Sequence, residues 1–234
     1  MELHRHLITA AFGAAFFAFN LLPVAAGEWT ILFDGKTVNG LRGYNQQEFP
    51  GKAWKIEGGA LKTITKAQGG QPTDLATAAK FTDFEFEYEW KVSPGGNSGV
   101  MYRVKEIPGK AAYSTGPEMQ VLDDERHPDG KANFPKRTAG SLYDLIGKGM
   151  KEKKYNPAGE WNTARIVCKD NAVEHWLYGE KLLAYKWGSA EIKAMLETSK
   201  FKGWPGFMEQ PEGHVVIQHH GEEVWYRNIR VRKP

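Results

Sequence analysis

Residues 84 to 92, FEFEYEWKV, alternate without interruption. Phe84, Phe86, Tyr88, Trp90 and Val92 fall on one side; Glu85, Glu87, Glu89 and Lys91 fall on the other. A period of two over this length predicts an antiparallel strand with one face in a core and one in water. The glutamate row is therefore expected to be a solvated sheet face rather than a catalytic array. Ser93-Pro94-Gly95-Gly96 is a turn signal, and GNSGVMYRV then returns as a second strand, so the two predict a hairpin. Similar patterns predict strands in EWTILF, AWKIEG, ALKTIT, EMQVL, TARIVC, AVEHWLYG, KLLAY, HVVIQHH and VWYRNIRVR. Asp34-Gly35, Gly58-Gly59, Asp170-Asn171 and Tyr178-Gly179-Glu180 supply turns between several of them. Only SAEIKAMLETSK reads as a helix, with Ser189 as its N-cap.

Many short antiparallel strands with no repeat and no linker predict an all-β sandwich or jelly roll. The expected unit is one domain from Gly27 to Pro234. Ahead of it, His4-Arg5-His6 precedes an apolar run from Leu7 to Leu22, then Pro23 and the small residues Val24-Ala25-Ala26. The run is shorter than the roughly 20 residues that span a bilayer. It reads as a secretory signal peptide over residues 1–26, which predicts a secreted or periplasmic protein with no integral membrane segment in the mature chain. Net charge is only +3, with acidic and basic residues interspersed. No concentrated basic face is expected, which argues against a nucleic-acid partner. The single cysteine, Cys168, alternates with Ala164 and Ile166 and reads as a small buried side chain.

Six segments in fixed order carry a resemblance: LFDGKTVNGL, DFEFEYEWKVSPGGNSGVMYR, PEMQVLDD, GSLYD, GEWNTARI and IQHHGEEVWYRNIRV. The set resembles the DUF1080 family, the 3-keto-disaccharide hydrolase domain, across nearly all of the mature chain. The resemblance implies a concanavalin A-like jelly-roll sandwich of two curved antiparallel sheets with one short helix. It also implies a carbohydrate substrate, a glycoside already oxidised at C3, and cleavage by a hydrolase or lyase route.

Strand parity nominates the site residues. In EMQVL, Glu118 and Gln120 share one face and Met119 and Val121 the other, as on a strand lining a cleft. Asp123 and Asp124 stand where that strand ends, and Glu118 with Asp123 could form the carboxylate pair that glycoside cleavage uses. In HVVIQHHG, His214, Val216, Gln218 and His220 share a face; Gln218 and His220 match the family pattern. His219 is expected on the packing side and His175 in a structural role. In the hairpin return, Asn97, Gly99, Met101 and Arg103 share one parity, and Arg103 matches a family arginine. His127 lies in the loop ERHPDG as a lid or ligand candidate. Tyr143 and Trp161 are candidate platforms for a sugar ring. No cofactor is required; a divalent metal would draw on Asp123, Asp124 and His127, although neither a histidine-pair nor a calcium-loop spacing is present.

A ketone at C3 acidifies the hydrogen on C2, so a base, an acid for the leaving oxygen and a partner for the enolate oxygen would suffice for elimination. The expected assignment is His220 as base, Glu118 as acid, and Arg103 with Gln218 at the enolate. Direct hydrolysis through Glu118 and Asp123 is the rival mechanism. A non-catalytic, lectin-like carbohydrate-binding module is the rival function, because the same fold serves both.

Overall fold

The computed structural model describes residues 27–234; the expected signal peptide lies outside the described residues. The strands are β1 (Thr30–Phe33), β2 (Leu41–Gly43), β3 (Trp54–Glu57), β4 (Ala60–Thr63), β5 (Leu75–Thr77), β6 (Phe84–Val92), β7 (Asn97–Val104) and β8 (Glu118–Leu122). They continue with β9 (Asn162–Lys169), β10 (Ala172–Leu177), β11 (Glu180–Lys186), helix α1 (Ala190–Glu197), β12 (His214–Ile217) and β13 (Val224–Arg232). One sheet has eight strands, in the order β11-β10-β9-β6-β13-β4-β3 with β1 also on β13. The other has five, in the order β2-β5-β12-β7-β8. All pairings between strands are antiparallel, and the two sheets form a jelly-roll sandwich. No described helix is long and apolar enough to cross a membrane.

The alternation in β6 fills the core. Phe84, Phe86, Tyr88, Trp90 and Val92 pack against Val100, Tyr102, Met119, Val121, Val215 and Ile217 of the smaller sheet. Each such side chain contributes about 1.5–3 kcal/mol by leaving water. The glutamate row lies outside, as expected, and is fully engaged. Glu85, Glu87 and Glu89 stand directly across from Arg232, Arg230 and Arg227 of β13, with ion pairs of 2.8, 2.6 and 2.8 Å. Directly opposed opposite charges stabilise a strand pair.

β2 and β5 are three residues each and escape a periodicity reading, which needs a longer run. The helix is where expected: Ser189 Oγ accepts from Ile192 N at 3.3 Å. Its buried Ile192 joins Leu142, Leu145, Leu183, Phe201, Phe207 and Met208 in a second apolar cluster, which anchors residues 198–208 beside β8.

His175 is structural, as expected. It is fully buried, and burial holds its pKa down at about 4, so the ring is neutral. Its Nδ1–H donates to Gly140 O (3.0 Å), and Nε2 accepts from the Tyr102 hydroxyl (2.8 Å). That bond ties residues 138–146 to the sandwich. These residues then cover the free edge of β8: Gln120 N donates to Ser141 O, Gly140 N to Gln120 O, and Tyr143 N to Glu118 O.

Candidate active site

The outer face of the five-stranded sheet carries a cavity of about 320 Å³. Its floor comes from neighbouring strands. β8 places Glu118 and Gln120 there, while Met119 and Val121 enter the core, as parity predicts. β7 contributes Asn97. The chain leaving β12 runs beside β7, held by Gln218 N donating to Gly99 O (2.9 Å) and Ser98 Oγ donating to Gln218 O (2.6 Å), which brings Gln218 and His220 to the same cavity. Asp74 fixes this exit by accepting the His219 N–H at 2.8 Å. His219 itself packs edge-on against Trp54, on the side expected of it.

Glu118 is buried, and desolvation pushes its pKa up to about 8 against the opposing pull of His220 and Lys200. It is a neutral acid at pH 7. With its amide nitrogen facing acceptors, Gln120 donates to Glu118 Oε1 (3.1 Å) and Ser98 O (3.0 Å), which fixes the carboxyl. His220 has the opposite character. Its Nδ1 lies 2.8 Å from Glu222 Oε2, and this hydrogen bond raises the imidazole above its ordinary value. With Nδ1–H donated to Glu222, the lone pair of a neutral ring sits on Nε2. Glu222 lies two residues after His220 in HHGEE, beyond the end of β12, where strand parity does not single it out.

The walls are aromatic and charged. Tyr143 donates its hydroxyl to Asp129 Oδ2 (3.0 Å), and Arg137 pairs with both Asp129 (3.0 Å) and Asp144 (2.6 Å). Lys200 lies at the rim, its ammonium 4.2 Å from the Tyr143 ring centre. Trp204 and Tyr113 face each other at 6.1 Å on the other wall, with Phe201 and Phe207 beneath them. Asp129, Lys200, Trp204 and Tyr113 were not anticipated. FKGWPGF, three aromatics in a Gly/Pro loop after the helix, was the available signal.

Several expected members are elsewhere. Arg103 has φ +48° at a bulge in the β7–β12 pairing, between His214 and Val216. The bulge reverses parity, so Arg103 joins Tyr102 on the inner side. It is fully buried, stacked on Trp187 at 4.6 Å and bonded to Thr82 O and Asn171 Oδ1, so it cannot serve an enolate. Asp123 turns back to the hairpin. It accepts Gly95 N (2.7 Å) and Glu125 N (3.2 Å) and pairs with Arg126 (3.2 Å). Asp124 forms a buried ion pair with Lys153 at 2.7 Å and accepts Ala139 N. Trp161 lies by the outer face of the larger sheet, under Arg227 at 4.0 Å. None of these four lines the cavity. His127 stands at its edge, with its ring edge-on to His220 at 5.9 Å and Asn97 Nδ2 at 3.4 Å from Nε2.

The metal donors expected from the sequence do not converge, because Asp123 and Asp124 are engaged as above. His127, His220 and Glu222 do bring one donor atom each within 4.8 Å of one another. The hydrogen bonds divide the three donors. His127 Nδ1 accepts the Asp129 N–H (3.1 Å), which leaves the proton of a neutral ring on Nε2 and no lone pair for a cation. His220 gives its Nδ1–H to Glu222, the carboxylate partner a metal-binding histidine commonly has, and keeps Nε2 open.

The chain is similar to known proteins over most of its length. A protein of Bacteroides thetaiotaomicron named 3-keto-disaccharide hydrolase is 40% identical over 235 residues, covering 90% of this chain and 80% of its own length. A crystal structure from Parabacteroides distasonis, provisionally described as a glycosyl hydrolase, superposes with a TM-score of 0.76 at 30% identity, covering 88% of this chain and 94% of its own. A second from that organism, similarly described, shares the fold at a TM-score of 0.68 and 22% identity, covering 89% and 100%. The profile of the 3-keto-alpha-glucoside-1,2-lyase-like domain matches residues 28–232, both sheets and every wall of the cavity included, and the chain belongs to that family.

Proposed function

We propose that this chain is an exported enzyme that cleaves the glycosidic bond of 3-keto-glycosides, 3-keto-disaccharides among them, by C2 proton abstraction and elimination. The observation that carries the reading is the contrast between two groups in one cavity. Glu118 is held protonated, with its pKa at about 8, while His220 is oriented by Glu222 with Nε2 free to accept a proton. Environments that separate an acid from a base in this way assign their roles. A binding module has no use for such a pair, and family membership supports the enzyme over the module.

His220 Nε2 takes the C2 hydrogen, acidified by the adjacent ketone, and the electrons move onto the C3 oxygen as an enolate. Collapse of the enolate forms the C1–C2 double bond and expels the glycosidic oxygen, which receives the Glu118 proton. Addition of water across that double bond then makes the net reaction a hydrolysis. Asn97 and Gln218 offer donors and acceptors to ring hydroxyls, and Trp204 with Tyr113 offers a ring platform. The rival route through Glu118 and Asp123 loses its second member, because Asp123 is turned to the hairpin, and Asp129, the other aspartate lining the cavity, is engaged by Arg137 and the Tyr143 hydroxyl.

The test is turnover of a 3-keto-glycoside in heavy water, read early and against an enzyme-free control for spontaneous exchange. Elimination followed by hydration leaves deuterium at C2 of the released sugar, and the unoxidised glycoside is inert. Rapid cleavage of the unoxidised glycoside without C2 label would replace this reading with direct displacement.

A further inference from the structure

Elimination needs a partner for the charge that grows on the C3 oxygen, and Arg103 is sequestered in the core. The carboxyls nearest the Tyr143 wall of the cavity are already satisfied. Asp144 accepts from Arg137 Nε (2.6 Å) and Asn133 Nδ2 (2.8 Å). Asp129 accepts from Arg137 Nη1 (3.0 Å) and the Tyr143 hydroxyl (3.0 Å). Glu118 is buried and neutral. Lys200 lies among these three groups and lines the same cavity, yet its ammonium has no hydrogen-bond or ion-pair partner among the described residues. Its ammonium lies over the faces of Tyr143 (4.2 Å) and Phe201 (5.2 Å). Those rings fix the position of the ammonium without consuming its donors. Arg137, by neutralising the two aspartates, leaves Lys200 as the cation available to a ligand.

We propose that Lys200 is the catalytic residue that meets the C3 oxygen of the 3-keto sugar and donates an ammonium N–H to it as the enolate forms; this rests on the elimination reading above. The role is electrostatic. The C2 proton goes to His220, the negative charge gathers on the C3 oxygen beside Lys200, and the charge returns to the ring as the C1–O bond breaks. No bond to Lys200 forms. Lys200 is an exposed rim residue in the absence of substrate, though partial desolvation already lowers its pKa. A bound sugar ring would cover it and strengthen the interaction, since the local dielectric falls when water leaves.

The experiment compares wild type, Lys200→Met and Lys200→Arg on a 3-keto-glycoside, with a melting curve for each. Removing one donor from such a site costs about 10²–10³ in kcat. Lys200→Met is expected to lose that much in kcat with KM changed only a few fold, and Lys200→Arg to retain most of the rate. Wild type is run in parallel in heavy water. If its product carries C2 deuterium and Lys200→Met turns over within about fivefold of it, a smaller effect than one such donor supplies, the Lys200 assignment is overturned while elimination stands. If the wild-type product lacks the label, elimination itself falls, and this proposal with it. Borohydride inactivation with a sugar fixed to Lys200 would overturn the electrostatic role in favour of an iminium.

Discussion

Gly99 and Glu118 are diagonal neighbours across the β7–β8 ladder, and the Glu118 carboxyl occupies the space where a side chain on residue 99 would begin. The acid is thus seated by the absence of an atom on the adjoining strand. Gly99→Ala is expected to push the carboxyl off Gln120 and lower kcat/KM by about 10² or more, the scale of general acid catalysis. The sandwich core, on the other face of β7, should hold its melting temperature within a few degrees. Wild-type activity in Gly99→Ala would mean that Glu118 is not held where the chemistry needs it.

The pH profile should be bell-shaped and narrow. His220 must be unprotonated, so activity rises as pH passes its pKa, which Glu222 lifts above 6.5. Glu118 must be protonated, so activity falls as pH passes about 8. Glu222→Gln removes the carboxylate and should move the acidic limb of kcat/KM to lower pH while reducing the maximum. An acidic limb that does not move would remove Glu222 from the site. His220→Ala should lower turnover at least a hundredfold, within the usual range of general base terms of about 10² to 10⁴.

Glu118 also links function to stability. Its pKa is raised in the fold, from an ordinary 4.5 to about 8, so the folded state retains a proton that the unfolded chain releases between these values. Stability from this group is complete below pH 4.5 and is lost as pH rises to about 8, by an amount on the order of a few kcal/mol. Glu118→Gln abolishes this loss. It should melt higher than wild type at pH 8, with a smaller difference at pH 5, while activity drops at least about a hundredfold. Parallel melting curves for the two proteins across this range would contradict the burial argument.

Asp123 separates structure from chemistry. Asp123→Asn leaves one acceptor oxygen where Gly95 N–H and Glu125 N–H now have one each, and it removes the charge facing Arg126, so stability should fall by about 1–3 kcal/mol. Turnover of the folded variant should stay within a few fold of wild type. Glu87→Gln, which loosens the partly exposed pairs with Arg230 and Arg165, should also spare activity. A hundredfold loss in Asp123→Asn at full folding would restore the two-carboxylate mechanism.

By itself the sequence determined the features that depend on period alone. The alternation in β6 dictated which face meets the core, and EMQVL dictated that Glu118 and Gln120 leave it, because successive side chains on a strand point to opposite sides. Gln218 and His220 reached the outer face as the parity of HVVIQHH suggested, but they lie just past the end of β12, and bonds to Gly99 and Ser98 hold them there. The rule failed at Arg103, where a bulge inserts one residue and reverses the alternation. A bulge is settled by pairing with a partner strand more than a hundred positions away, so no local pattern announces it. Parity also says nothing once a strand ends. Asp123 and Asp124 were drawn away by Gly95, Arg126, Ala139 and Lys153, partners brought to them only by the folded loops. The reverse holds for Glu222, Asp129, Lys200 and Trp204. They became site residues because the closing of β8's edge and the packing of α1 gather their loops around one cavity. Periodicity is local and survives in the sequence; burial, ion pairing and the pKa of Glu118 depend on which distant residues become neighbours, and only the tertiary structure decides that.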